Sequence, residues 1–98
     1  NMSLFSNLFK KDEDLKQIVL KIDGMKCGEC ESHVNDIIRR SEKIKKVTSS
    51  HLKNETKIIL EDDLNPNKII SNLEKDGYRV LNTKKTNVKK TLFGYKEI

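Results

Sequence analysis

The sequence predicts an α+β sandwich: one four-stranded antiparallel sheet with two helices on one of its faces, in the order β-α-β-β-α-β. Three observations predict it. "KQIVLKID", residues 16–23, alternates apolar and polar residues, the period of a half-buried strand. "CESHVNDIIRRSEKI" and "NPNKIISNLEKDG" repeat apolar residues at helical spacing. A strand-like run follows each helix, so each β-α-β half would cross over right-handedly.

The first strand sets Ile18, Leu20 and Ile22 on one side. The first helix carries Val34, Ile37, Ile38 and Ile44 near one face. "KVTSSHL" is a weaker strand. Its inward positions would be Val47, Ser49 and His51, two of them polar, which a bulge or an exposed edge would accommodate. "KNET" is a turn, and "KIIL" a third strand ended by "EDD". The second helix has Asn65 as N-cap, Pro66 at the first helical position, Ile69, Ile70 and Leu73 as its apolar stripe, and Gly77 as its stop. "YRVLNT" is the fourth strand. Together these make the ferredoxin-like βαββαβ arrangement.

Ninety-eight residues bound the chain to one domain with a modest core. Asn1 precedes Met2 and is set aside as an appended residue. Charged residues make up 36% and aromatics 5%, which predicts a polar surface. No apolar run approaches the roughly 18 residues of a membrane span. "MSLFSNLFKK" is too short and too interrupted for a secretory signal, so the cytoplasm is the expected location. Thiols there stay reduced, and a close cysteine pair points to metal binding or catalysis rather than to a structural disulfide.

Three zones divide the chain. Residues 1–15 form a leader, with Leu4, Phe5, Leu8 and Phe9 at helical spacing before "KKDED", expected as a frayed arm or a short helix resting on the domain. Residues 16–84 are the domain. Residues 85–98 are a basic tail or linker, an extra strand, or a start toward something absent from this chain, with Lys85, Lys89, Lys90 and Lys96 against Glu97. The net charge of +5 is not arranged as a basic stripe interleaved with aromatics, so no nucleic-acid partner is expected. The lysine-rich end could touch an anionic surface.

The chemistry concentrates in "GMKCGEC", residues 24–30. A structural zinc site wants four ligands, and the chain has no cysteine besides Cys27 and Cys30. A thioredoxin-like dithiol site fits in part. However, the chain has no tryptophan, and its one proline opens the second helix instead of facing the thiols. On the helical count Cys30 shares the core-facing side of the helix mouth with Val34 and Ile37, whereas Cys27 precedes the helix and should be more exposed. A helix N-terminus and the adjacent Lys26 lower thiol pKa. Two sulfurs each at about 2.3 Å from one ion must lie within about 4.6 Å of each other, which this spacing permits. Such a site suits Cu(I), or a loosely held Zn(II) or other soft divalent ion. His33 extends the pattern to C-x-x-C-x-x-H. It falls about 60° from Cys30 on the helix and is either an exposed helix residue or a third ligand. His51 is assigned no role. No paired carboxylates, Ser-His-Asp set or Gly-rich phosphate loop occurs, so a carrier is expected rather than an enzyme.

"GMKCGEC" resembles the G-M-x-C-x-x-C motif of the heavy-metal-associated domain, and "LEKDGY" is similar to that family's segment before its last strand. The resemblance covers residues 16–84. It implies a metal-binding module of copper chaperones, heavy-metal-pumping P-type ATPases and mercury-binding relatives. It also implies that Cys27 and Cys30 are the ligands, Met25 a buried methionine under the loop, and Tyr78 the aromatic beside it. Lys26, where the family usually has Thr, and Glu29 between the cysteines depart from the pattern. The implied partner is another metal-binding domain, such as that of a P-type ATPase, with the membrane involved only through it. An N-terminal domain of a metal transporter and a dithiol redox protein are the other readings.

Overall fold

The computed structural model describes residues 15–98. The expected leader lies outside the described residues, apart from Leu15. The chain runs β1 (Leu15–Asp23), α1 (Gly28–Ser41), β2 (Lys46–Ser50), β3 (Glu55–Leu60), α2 (Asn67–Lys75), β4 (Arg79–Thr91) and β5 (Gly94–Glu97). All pairings are antiparallel, and the strand order is β2-β3-β1-β4-β5. No helix among the described residues is long and apolar enough to cross a membrane.

The fold class is the expected one, with one correction: the sheet has five strands. Residues 85–98, expected as a basic tail, a linker or an extra strand, continue β4 and then turn back as β5. Val88 explains this. It pairs with Leu15 and is fully buried with Leu15 and Ile59, against which Tyr95 packs. A lone valine among lysines leaves almost no periodic signal in the sequence. The cluster lies on the sheet face away from the helices. On that face Lys46 of β2 sits 5.6 Å from the ring centre of Tyr95 in β5. Strands at opposite ends of the order thus meet, because a twisted sheet curls.

The main core fills the space between sheet and helices. Ile18, Leu20, Ile22, Val34, Ile37, Ile38, Ile58, Leu60, Ile69 and Leu73 are all buried there. The polar residues of β2 are accommodated at the sheet edge and by hydrogen bonds. Ser49 donates to Asn35 Oδ1 (2.6 Å) and meets Thr56 Oγ1 (2.7 Å). Between the helices, Asn72 Nδ2 donates to Ser41 Oγ (2.8 Å), which donates to the Ile37 carbonyl. Helix α2 starts one residue later than the sequence suggests, yet Asn65 Oδ1 still accepts from the Asn67 N–H (3.0 Å). In β4 the register shifts beside Lys21 and Ile22 and leaves Leu81 unpaired. This bulge turns Val80 onto the core and leaves Leu81 exposed.

Candidate metal centre

The two thiols lie where β1 hands over to α1. Gly24 has φ +112°, a conformation that side chains rarely adopt. A Cβ there would also stand 3.4 Å from the Tyr78 ring. The glycine therefore turns the chain, and Tyr78 packs directly beside it. Met25 follows and is buried under the loop, with its sulfur 4.0 Å from Thr56 Oγ1. Thr56 belongs to the hydrogen-bonded chain that starts at Asn35, so the methionine rests on an ordered polar floor.

Cys27 is the N-cap of α1, and its side chain makes no capping bond. Its carbonyl accepts from the Glu31 N–H (3.2 Å), closing the first helical turn. Cys27 is exposed, Cys30 is half-buried, and no disulfide joins them. The Cys30 thiol is held below its ordinary pKa, chiefly by the Lys26 backbone N–H directed at its sulfur. Burial opposes this, while the Cys27 thiol, the Tyr78 hydroxyl and the Cys27 N–H reinforce it. Backbone N–H groups at a helix mouth stabilise an anion, and here the anion is a thiolate.

Tyr78 arrives from the other side of the molecule. Helix α2 ends with the Tyr78 N–H on the Leu73 carbonyl and the Gly77 N–H on the Glu74 carbonyl (both 3.1 Å). This is a Schellman motif, with Gly77 at φ +92° as its left-handed residue. It delivers the ring into the core against Leu73 and brings its hydroxyl to Cys30. Burial raises the Tyr78 pKa, and negative charge on Cys30 raises it further, so the phenol stays protonated and can donate.

His33 is exposed on α1, the first of its two expected placements, and its ring is directed at Tyr78 and Asp76 rather than at the thiols. Its Nδ1 lies 2.8 Å from the Tyr78 hydroxyl and its Nε2 3.2 Å from Asp76 Oδ2. Both ring nitrogens are thus engaged, and the ring stands edge-on to Tyr78. Nδ1 shares a hydrogen bond with the Tyr78 hydroxyl, and Nε2 faces the Asp76 carboxylate. Asp76, in the cap of α2, had no sequence signal. Nor did the partnership of His51 with Glu31. The Glu31 carboxylate accepts from the His51 N–H (2.8 Å) and from Nδ1 (2.7 Å). That contact ties the β2–β3 turn to the first turn of α1 and holds the Glu31 pKa below its ordinary value. Among the described residues, no third His, Cys, Asp or Glu converges on the thiols to complete a metal shell.

The heavy-metal-associated domain, as a sequence family, matches residues 19–79. No curated protein matches the chain. Solved structures do. The CopZ metallochaperone is 22% identical, over 66% of this chain and 98% of that one, with a TM-score of 0.60. The N-terminal domain of ZntA in its Zn(II) form is 21% identical, over 67% and 89%, with a TM-score of 0.61. The yeast copper transporter domain Ccc2a, solved in apo and Cu(I)-loaded states, is 22% identical, over 68% and 96%, with a TM-score of 0.59. At these identities the structural likeness is one of fold.

Proposed function

Because the chain belongs to the heavy-metal-associated domain family, we propose that it carries one soft metal ion between Cys27 and Cys30, Cu(I) by preference, and hands it on by thiolate exchange. The observation that carries this reading is the pairing of an exposed Cys27 with a half-buried Cys30 in one loop-to-helix junction, the Cys30 thiol held below its ordinary pKa. Two thiolates satisfy Cu(I), whereas Zn(II) wants four ligands, and no third candidate converges among the described residues. The ion is cargo. A thiolate of the acceptor bonds to it from the open side, giving a three-coordinate ion. Cys27, the exposed ligand, then departs and takes up a proton from solvent, and a second acceptor thiolate displaces Cys30. The donors around Cys30 favour its departure as an anion.

Such exchange needs reduced thiols, which fits the cytoplasm, with a metal-binding domain such as that of a P-type ATPase as acceptor. The neighbours include both a free metallochaperone and transporter domains, so the same site also suits the N-terminal domain of a transporter. Titration of the reduced, metal-free chain with Cu(I) and with Zn(II), each against a chelator of known affinity, tests the reading. The expected result is one Cu(I) per chain, held far more tightly than Zn(II). A chain that ignores Cu(I) but turns over protein disulfides with glutathione would be a redox protein, and the reading fails.

A further inference from the structure

The β4–β5 hairpin lies outside the segment that matches the family, and the carrier function leaves it unexplained. Its apex is Leu92 and Phe93, exposed at 96% and 99%. These are adjacent apolar side chains at a convex tip, held by the Thr91 hydroxyl, which donates to the Gly94 carbonyl (3.1 Å) and accepts from the Phe93 N–H (3.3 Å). Around the apex stand Lys89, Lys90 and Lys96. The neighbouring Lys84 and Lys85 have ion-pair partners in Glu97 and Asp63. Among the described residues, Lys89, Lys90 and Lys96 have none. Lys89 and Lys96 are moreover direct cross-strand partners. Like charges so placed repel one another, and an anionic surface would relieve that repulsion.

Lysines on an edge strand also prevent unwanted strand pairing. That role accounts for Lys96 but not for a fully exposed Leu-Phe apex. Two side chains on a convex tip are far short of the roughly 800 Å² per partner of a stable protein interface. A lipid surface needs no complementary pocket. It takes apolar side chains into the acyl boundary and collects lysines at the head groups. We infer that the hairpin is a docking tip for an anionic lipid bilayer: Leu92 and Phe93 insert, and Lys89, Lys90 and Lys96 contact the acidic head groups. The thirteen residues of β4 begin beside Tyr78 and end at this tip, which separates the thiols from the surface by about 40 Å at roughly 3.3 Å per residue. A docked chain would therefore keep its metal loop free for exchange. The inference is independent of which ion is carried.

Co-sedimentation of the full chain with vesicles tests it, using phosphatidylcholine alone or with about 30% phosphatidylserine. Binding is expected to the mixed vesicles and not to phosphatidylcholine alone. Leu92→Ser with Phe93→Ser should lower partitioning at least tenfold, roughly. Lys89→Gln, Lys90→Gln and Lys96→Gln together should lower it on the order of a hundredfold. Both variants change only exposed side chains, and an unchanged circular dichroism spectrum and Cu(I) titration would show the domain intact. Salt-sensitive binding that survives the double serine change would be plain electrostatic adsorption and would overturn insertion. Absence of binding would overturn it as well. So would self-association, seen by sedimentation velocity and removed by the serines, since the apex would then serve a second copy.

Discussion

Tyr78 has one hydroxyl proton and two acceptors for it, His33 Nδ1 and the Cys30 sulfur. The tyrosine therefore couples the thiol to a histidine that does not touch it. Tyr78→Phe removes the donor, so the Cys30 pKa should rise and its alkylation at neutral pH should slow. A pH series of alkylation rates on a Cys27→Ser background checks this; an unchanged profile would mean the hydroxyl does not reach the sulfur. The same change loses the His33 bond, and urea unfolding should report a cost of about 1 kcal/mol. His33→Ala should leave Cu(I) affinity nearly unchanged and weaken Zn(II) less than about tenfold, because both ring nitrogens are engaged elsewhere. A selective loss of zinc beyond that would make His33 a ligand. The places of Met25 under the loop and Tyr78 beside it were legible in the sequence because "GMKCGEC" and "LEKDGY" each resemble a segment of the family. Asp76 and the His51–Glu31 contact were not, since nothing local links residues that meet only through the fold.

Two elements aim the site. The Schellman end of α2 places Tyr78, and the first turn of α1 presents the thiols. Gly77→Ala finds open space for its Cβ but must hold a left-handed backbone, so thermal or urea unfolding should show a loss of about 1–2 kcal/mol. Gly24→Ala, at φ +112°, should lose a similar amount, its Cβ meeting the Tyr78 ring at ordinary contact distance. The first turn of α1 is anchored by Glu31, whose folded pKa is depressed by the His51 N–H and ring. A depressed carboxyl stabilises the fold above its unfolded pKa of about 4.3, and that contribution is lost as pH falls through the lower folded value. The stability gap between wild type and Glu31→Gln should therefore be widest at neutral pH and close under acid; a gap that persists at about pH 3 would mean packing, not charge, holds the turn. Helix and strand identities were readable from periodicity. The cap of α2 was displaced by a single residue, because Asn65 and Pro66 can share the start of a helix.

For the whole molecule, two apolar clusters divide the sheet between its faces. The larger was visible in the alternation of β1 and in the helix stripes. The smaller was not, because Val88 and Tyr95 stand singly among polar residues and gain meaning only when the sheet curls. Val88→Ala should cost about 2 kcal/mol, from two buried methyl groups and the space they leave, with no effect on the thiols at the far end of β4. Both clusters are held by apolar side chains packed on one another, so far-UV circular dichroism should be the same with and without a chelator. A coil spectrum in chelator would instead make this a metal-dependent folder. The proposed two-thiolate carrier site rests on the exposed Cys27 and the half-buried Cys30 at the loop end. The most direct measurement is a competitive Cu(I) titration of the reduced wild type beside Cys27→Ser, Cys30→Ser and the double variant. The expected result is one equivalent of tightly held Cu(I), lost in all three variants while the fold persists; undiminished Cu(I) binding by the double variant would contradict the assignment outright.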